Sequence, residues 1–135
     1  MNAPSEDIKD MLIAESGLGL TFAQNLFIGK EKTDPDQIVV IYDTFGGMPD
    51  LTMDQQTYER PSIQIKVRSR DYSQGYNLIN EIYLSLHGRA HETWNGTIYE
   101  LIRAINSPTH FDWDERGRAR FIVNFNLQRK ESADS

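Results

Sequence analysis

Apolar residues recur along this chain with two different periods, and the changes of period divide it into elements. Ile8, Met11 and Leu12 fall at helical spacing and make one narrow apolar stripe. Ser5 stands in front as a candidate N-cap, with Glu6 and Asp7 in the first turn, where the helix dipole favours acids. Gly17 then offers a left-handed stop, so the pattern predicts a helix over Ser5–Ser16 with Leu18 and Leu20 packed beneath it. Asn25–Gly29 reads as a short strand around Leu26, Phe27 and Ile28. Asp34-Pro35-Asp36 is a turn signal. Gln37–Asp43 follows as a central strand, since Ile38 to Tyr42 is apolar on both faces. A hairpin across Lys30–Asp36 is the expected link between these two strands.

Beyond Pro61 the period is two. Ile63, Ile65 and Val67 alternate with Gln64, Lys66 and Arg68, the pattern of a half-buried strand. A second helix is predicted from Asp71, which has capping-box spacing to Gln74, to a stop at Gly88. Its expected apolar stripe is Tyr72, Tyr76, Ile79, Tyr83 and Leu86. Asn95-Gly96 is a strong hairpin signal, with Thr97–Ile105 as the second arm and Ile98, Leu101, Ile102 and Ile105 its apolar members. A loop through Pro108 leads to a turn over Asp112–Gly117. The last strand follows, Phe121, Val123, Phe125 and Leu127 facing one way and Asn124, Asn126 and Gln128 the other. Residues 130–135 are polar and expected to fray. Helix, strands, helix, strands predicts an α+β fold, an antiparallel or mixed sheet packed on one face by two helices. At 135 residues the chain holds one domain, residues 1–135, around one core.

Composition narrows the function more by exclusion than by signal. With 39% hydrophobic and 25% charged residues the chain is globular in type, not disordered. Its longest apolar run, Ile38–Tyr42, is far too short to cross a bilayer, so no membrane partner is expected. The acidic start, Met1–Asp10, lacks the basic and apolar regions of a signal peptide. There is no cysteine, which removes disulfides, thiolate metal sites and cysteine nucleophiles and fits a reducing cytoplasm. A net charge of −6 argues against tight nucleic-acid binding, because phosphate contacts come from Lys and Arg. If DNA passes close by, the acidic excess is expected toward it, where repulsion prevents adhesion.

The candidate chemical motifs reduce to structural ones. His87 and His91 have a metal-ligand spacing, but Gly88 lies between them and no third ligand is near, so two surface histidines at a helix end are expected. Gly17-Leu18-Gly19 follows a helix and lacks the third glycine of a dinucleotide loop. Asn95-Gly96-Thr97 reads as a turn before it reads as a glycosylation site. Arg116, Arg118 and Arg120 beside Trp113 are the best candidate for gripping phosphate, but Asp112, Asp114 and Glu115 adjoin them, so a charged hairpin edge is favoured. Arg68 and Arg70 read the same way. No acid pair or nucleophile elbow is set up by the sequence, so no enzyme activity, catalytic residue, cofactor or metal is expected.

One segment is left without a period. Asp43–Arg60 carries Phe45, Met48, Leu51, Met53 and Tyr58, a heavy apolar load for a connector. Gly46-Gly47 gives freedom at one end and Pro61 stiffness at the other. These five residues are the candidate partner-binding set, in a loop expected to lack regular structure, with Phe45 and Tyr58 as its anchors.

Within this region, Ile41-Tyr42-Asp43-Thr44-Phe45-Gly46-Gly47-Met48-Pro49-Asp50 resembles a segment of the siphophage minor capsid or tail terminator proteins. The resemblance continues through Arg60–Arg68, Asp71-Tyr72, Leu86-His87-Gly88, Asp114–Arg118 and Phe121–Phe125, and spans Leu20 to Arg129. It implies a structural subunit of the phage neck or tail, found in the virion and assembled in the host cytoplasm. Such a subunit forms a homo-oligomeric, hexameric ring on the last ring of the tail tube protein, stops tube polymerisation and meets the head-completion or stopper protein. DNA passes through without specific binding. Another head–tail joining or minor capsid protein is one competing reading. A small ligand-binding α+β domain is the other, and an apolar pocket between sheet and helices would mark it.

Overall fold

The computed structural model describes residues 1–47, 50, 51 and 57–131. Helix α1 spans Pro4–Ala14 and buries Ile8, Met11 and Leu12, the expected stripe. Its start differs from the expectation. Pro4 takes the first helical turn, where its missing N–H costs nothing, and Ala3 stands at the N-cap without a side-chain bond. Ser5 is therefore not the cap. It donates from its backbone N–H to Asp43 Oδ1 (2.9 Å) and from its hydroxyl to Oδ2 (2.7 Å), so an acid from across the fold satisfies the open helix end. The helix stops at Ala14, ahead of Gly17. A short 3₁₀ turn follows over Ser16–Leu18, and Gly19, not Gly17, takes the left-handed conformation at φ 65°.

Strands β1 (Leu26–Ile28) and β2 (Ile38–Thr44) are neighbours but run parallel, with Leu26 opposite Val39 and Ile28 opposite Ile41. The expected hairpin is overturned. Residues 29–37 cross over the sheet instead of doubling back, because Arg68 gathers their carbonyls. β2 pairs antiparallel with β5 (Ser62–Ser69), and β5 with β9 (Ala119–Glu131). The alternation read in the sequence holds in both. Ile63, Ile65, Val67, Phe121, Val123, Phe125 and Leu127 all face the core. β6 (Glu92–Trp94) and β7 (Thr97–Ala104) form the expected hairpin, with Asn95 at φ 51° and Gly96 at φ 78°. β7 is bulged between Tyr99 and Leu101, which turns Tyr99 and Ile102 inward and leaves Leu101 and Ile105 exposed. The stretch after Pro108 is a strand, β8 (Thr109–Trp113), paired with the start of β9. The main sheet runs β1-β2-β5-β9-β7-β6, with β8 beside β9. Lys130 and Glu131 belong to β9, which corrects the expected fraying at those two positions, and residues 132–135 lie outside the described residues.

Helix α2 (Tyr72–Leu86) starts where expected, with Asp71 accepting from the Gln74 N–H at 2.9 Å, and Gly88 follows it at φ 90°. Its buried face is Gly75, Leu78, Ile79, Ile82 and Leu86, so Tyr72 and Tyr76 lie on the flank rather than in the stripe. The cause is close approach. A Cβ on Gly75 would sit 2.7 Å from Phe121 Cε2, and no tyrosine fits between a helix and a sheet that near. Both helices cover the same face, α1 over β1 and β2 and α2 over β5 and β9. This is the expected α+β arrangement, with a mixed sheet.

Candidate assembly surface

The aperiodic segment turns out to have a base and two legs. β3 (Asp50–Leu51) pairs antiparallel with β4 (Thr57–Tyr58), which corrects the expectation of a stretch without regular structure. The legs close where Gly47 N–H donates to the Arg60 carbonyl at 2.7 Å. Gly46 makes that closure possible. A Cβ there would lie 2.3 Å from the Arg60 carbonyl oxygen and 2.7 Å from Pro61 Cα, so only glycine lets the two backbones cross. The second leg is tied to β9. Glu59 and Arg129 exchange backbone bonds of 2.8 and 3.0 Å, and Leu127 N–H donates to Pro61 O at 2.8 Å.

On this pinned base Phe45 is 101% exposed, a phenyl ring with no covering group among the described residues. Tyr58 is half-buried, its hydroxyl accepting from Lys130 Nζ at 3.1 Å while that ammonium stands 5.0 Å from the ring centre. Met48, Met53 and the side chain of Leu51 lie outside the described residues, although the Leu51 backbone pairs with Thr57. Of the five candidate residues the structure thus places Phe45 in solvent and Tyr58 at the root of the arm.

Beneath that root lies a buried polar group that periodicity did not reveal. Arg129 Nε donates to Glu59 Oε2 (2.9 Å), and its Nη1 donates to the Asn2 carbonyl (2.8 Å) and to the Tyr99 hydroxyl (3.3 Å). Tyr99 in turn donates to Asp7, which is wholly buried in α1 and also accepts from Asn95 Nδ2 at 2.7 Å. Burial and then the Asp7 bond push the Tyr99 phenol well above its ordinary value. Burial opposes the charge on Arg129, but Tyr99 and Glu59 outweigh it and raise its pKa. Helix α1, the β6–β7 turn, β9 and the arm therefore share one set of hydrogen bonds. The available sequence signal was parity, since Arg129 continues the inward series Phe125, Leu127.

The remaining candidates separate. Arg118 is buried, donating to Asp114 Oδ2 (2.7 Å), Asp36 Oδ1 (3.2 Å) and the Thr33 carbonyl (2.7 Å). Arg120 forks onto both oxygens of Asp112 at 2.6 Å and reaches Glu31 at 3.3 Å. Only Arg116 stands out in solvent, so the cluster is spent internally. A cavity of ≈ 480 Å³ opens among Glu31, Arg68, Asp114 and these arginines, and its walls are charged, not apolar. His87 Nδ1 accepts from the Ala104 N–H (3.0 Å), whereas His91 Nδ1 meets Glu100 (2.9 Å). They share no partner, and no cluster of ligating side chains fit for a metal occurs among the described residues. Chelator treatment should accordingly leave the melting temperature unchanged, and a drop of several degrees would refute this.

No curated protein matches the chain. Among solved structures, a chain of the virion of a native gene transfer agent particle is similar in fold, with a TM-score of 0.67 at 10% identity, 95% of each chain being covered. A family described as bacteriophage tail terminator protein matches residues 6–131, from the first turn of α1 to the last residue of β9. A segment that long takes in most of α1, all of α2 and every strand among the described residues, and on it the chain belongs to the bacteriophage tail terminator protein family.

Proposed function

We propose that this phage tail structural protein is the terminator subunit itself. Copies join head to tail into a homo-oligomeric ring, a hexamer by the resemblance noted above, on the last ring of the tail tube. The ring stops tube polymerisation and meets the head-completion or stopper protein on its other side. The family is structural, and the chain is a virion component. Assembly in the host cytoplasm and passage of DNA without specific binding belong to the same reading. Internal pairing of Arg68, Arg118 and Arg120 supports the latter, since none is left to hold a phosphate.

The observation that carries the proposal is Phe45, fully exposed on a backbone that Gly46 and Arg60 hold in place. An aromatic side chain so presented costs little further ordering on binding, and a few such anchors dominate the energy of an interface of about 800 Å² per partner. Head-to-tail contacts that close on themselves give a ring.

Native mass of the protein, alone and with tail tube protein, tests this. A discrete multiple of 15.6 kDa that binds the tube is expected, and a monomer in both samples refutes it. Phe45→Ala should weaken assembly by about 1–3 kcal/mol, with Tyr58→Ala in the same direction. Monomer stability in circular dichroism melts should stay within about 0.5 kcal/mol for Phe45→Ala, because no folded contact is lost. Variants that unfold the monomer would make the arm part of the core. Variants that change neither property would make it a connector.

A further inference from the structure

A second aromatic surface lies where β8 meets the start of α2. The Tyr72 ring stands 5.4 Å from His110 and 6.1 Å from Trp113, and meets the buried Phe121 edge-on at 5.0 Å. Tyr76 touches the same floor at 6.2 Å. Phe121 is in the core, but Tyr72, Tyr76 and Trp113 remain 47%, 44% and 54% exposed. Phe111, on the same strand, is 55% exposed with Lys66 Nζ 5.7 Å from its ring. β8 pairs with β9 alone among the described residues, so one of its edges is free. Free edges are ordinarily blunted by charge, proline or a bulge, and β8 has both Asp112 and a register shift between His110 and Asp112, yet the exposed aromatic rings beside it still mark a protein-binding surface.

We propose that this corner receives an adjacent copy of the same chain, and that the group it takes is the neighbour's Phe45. The inference rests on the ring reading above. Phe45 cannot reach the corner within its own molecule. Thr44 lies opposite Ser62 at one end of β5, while Ser69, at the other end, pairs with Ala119 and through it with Trp113. At ~3.3 Å per residue those ends are about 23 Å apart. They are also offset across the sheet, Phe45 following the end of β2 and Trp113 lying beyond β9, with β5 between those two strands. Knob and receptor thus occupy diagonal corners of one subunit. A contact between them uses two different patches and repeats from copy to copy, as ring closure requires. Aromatic rings meet well edge-on or offset, and Tyr72 already meets Phe121 edge-on in this corner.

The cysteine-free sequence makes the test clean. Thr44→Cys and Arg116→Cys put thiols beside knob and receptor at exposed positions that leave the aromatic rings intact. Mixed under native conditions with a short bis-maleimide, the two variants should give a covalent dimer that neither gives alone. A chain carrying both should give a ladder ending at the ring size. A ring by native mass with no cross-link in the mixture overturns this inference and leaves the ring reading standing, whereas no assembly in the wild type overturns both. Independently, Phe45→Ala and Trp113→Ala should each raise the concentration for half-assembly about tenfold or more, and the double variant little further. Additive losses, or wild-type assembly in either variant, overturn it.

Discussion

Asp7→Ala should lower the unfolding free energy by about 3–5 kcal/mol, read as a shifted denaturant midpoint with an unchanged slope. The carboxylate is fully buried and accepts from Tyr99 and Asn95, with the Arg129 guanidinium 3.9 Å away. Removing it leaves a buried hydroxyl and a buried cation short of their acceptor, which is more costly than losing an ordinary hydrogen bond. Arg129 keeps Glu59 at 2.9 Å, so the cation is not wholly orphaned and the loss stays within that range. Asp7→Asn should lose less, since it can still accept from Tyr99. A loss near zero for Asp7→Ala would mean that water reaches the site. Because Arg129 also holds the root of the arm through Glu59, the variant should assemble poorly even where it is folded.

Arg68→Ala should cost a similar amount, about 3–5 kcal/mol, by a different route. This guanidinium spends all five N–H donors inside the protein. Nε donates to Asp36 O (3.2 Å), Nη1 to Glu31 Oε2 (3.0 Å) and Lys32 O (2.6 Å), and Nη2 to Thr33 O (3.0 Å) and Pro35 O (2.7 Å). One side chain thus holds down the whole β1–β2 crossover, and its removal should make residues 29–37 the first site of proteolysis. Arg68→Lys keeps the charge with only three donors and should fall between. The acid side of the stability profile reports the same cluster. Burial alone would raise the Glu31 carboxyl, but the Arg68 bond and the charges of Arg120, Lys66 and Arg68 outweigh it and hold the pKa low. For Asp112 the Arg120 bond is the leading cause of the same lowering. Such groups stabilise the fold above the ordinary carboxylate pKa of about 4, and the gain is lost as pH falls through the depressed values. Arg68→Ala should therefore be less acid-sensitive than wild type below about pH 4. An unchanged acid profile would contradict this account.

Elements whose burial follows from one face alone were legible in the sequence. The inward rows of β5 and β9, the stripe of α1 and the Asn95-Gly96 turn needed no partner to be recognised. The α2 stripe was misread because Gly75 allows an approach that no periodicity encodes. The β1–β2 link was misread as a hairpin because its path is set by Arg68, an outward-parity residue that becomes buried only once the crossover lies on it. β8 has too little alternation of its own, and its place is fixed by pairing with β9. For the candidate surface, Phe45 and Tyr58 were singled out by their apolar excess in an aperiodic segment, and the exposure of Phe45 is what that excess predicts for a residue outside the core. The aromatic corner was not found, because Tyr72, Tyr76 and Trp113 come together only through α2 and β8.

The length of β9 has a mechanical consequence. It is bound to β5 by a continuous antiparallel register from Ser62–Asn126 to Ser69–Ala119, and to β7 from Ala104–Phe125 to Thr97–Glu131. Tension along the strand direction loads those hydrogen bonds in shear, so they have to fail together. Pulling across the strands at β6, which is held by the three pairs from Glu92–Tyr99 to Trp94–Thr97, opens them one at a time. The subunit is thus stiff along β9 and yields first at the β6 margin, an anisotropy that single-molecule pulling from two attachment geometries would resolve as a higher rupture force for the β9 axis.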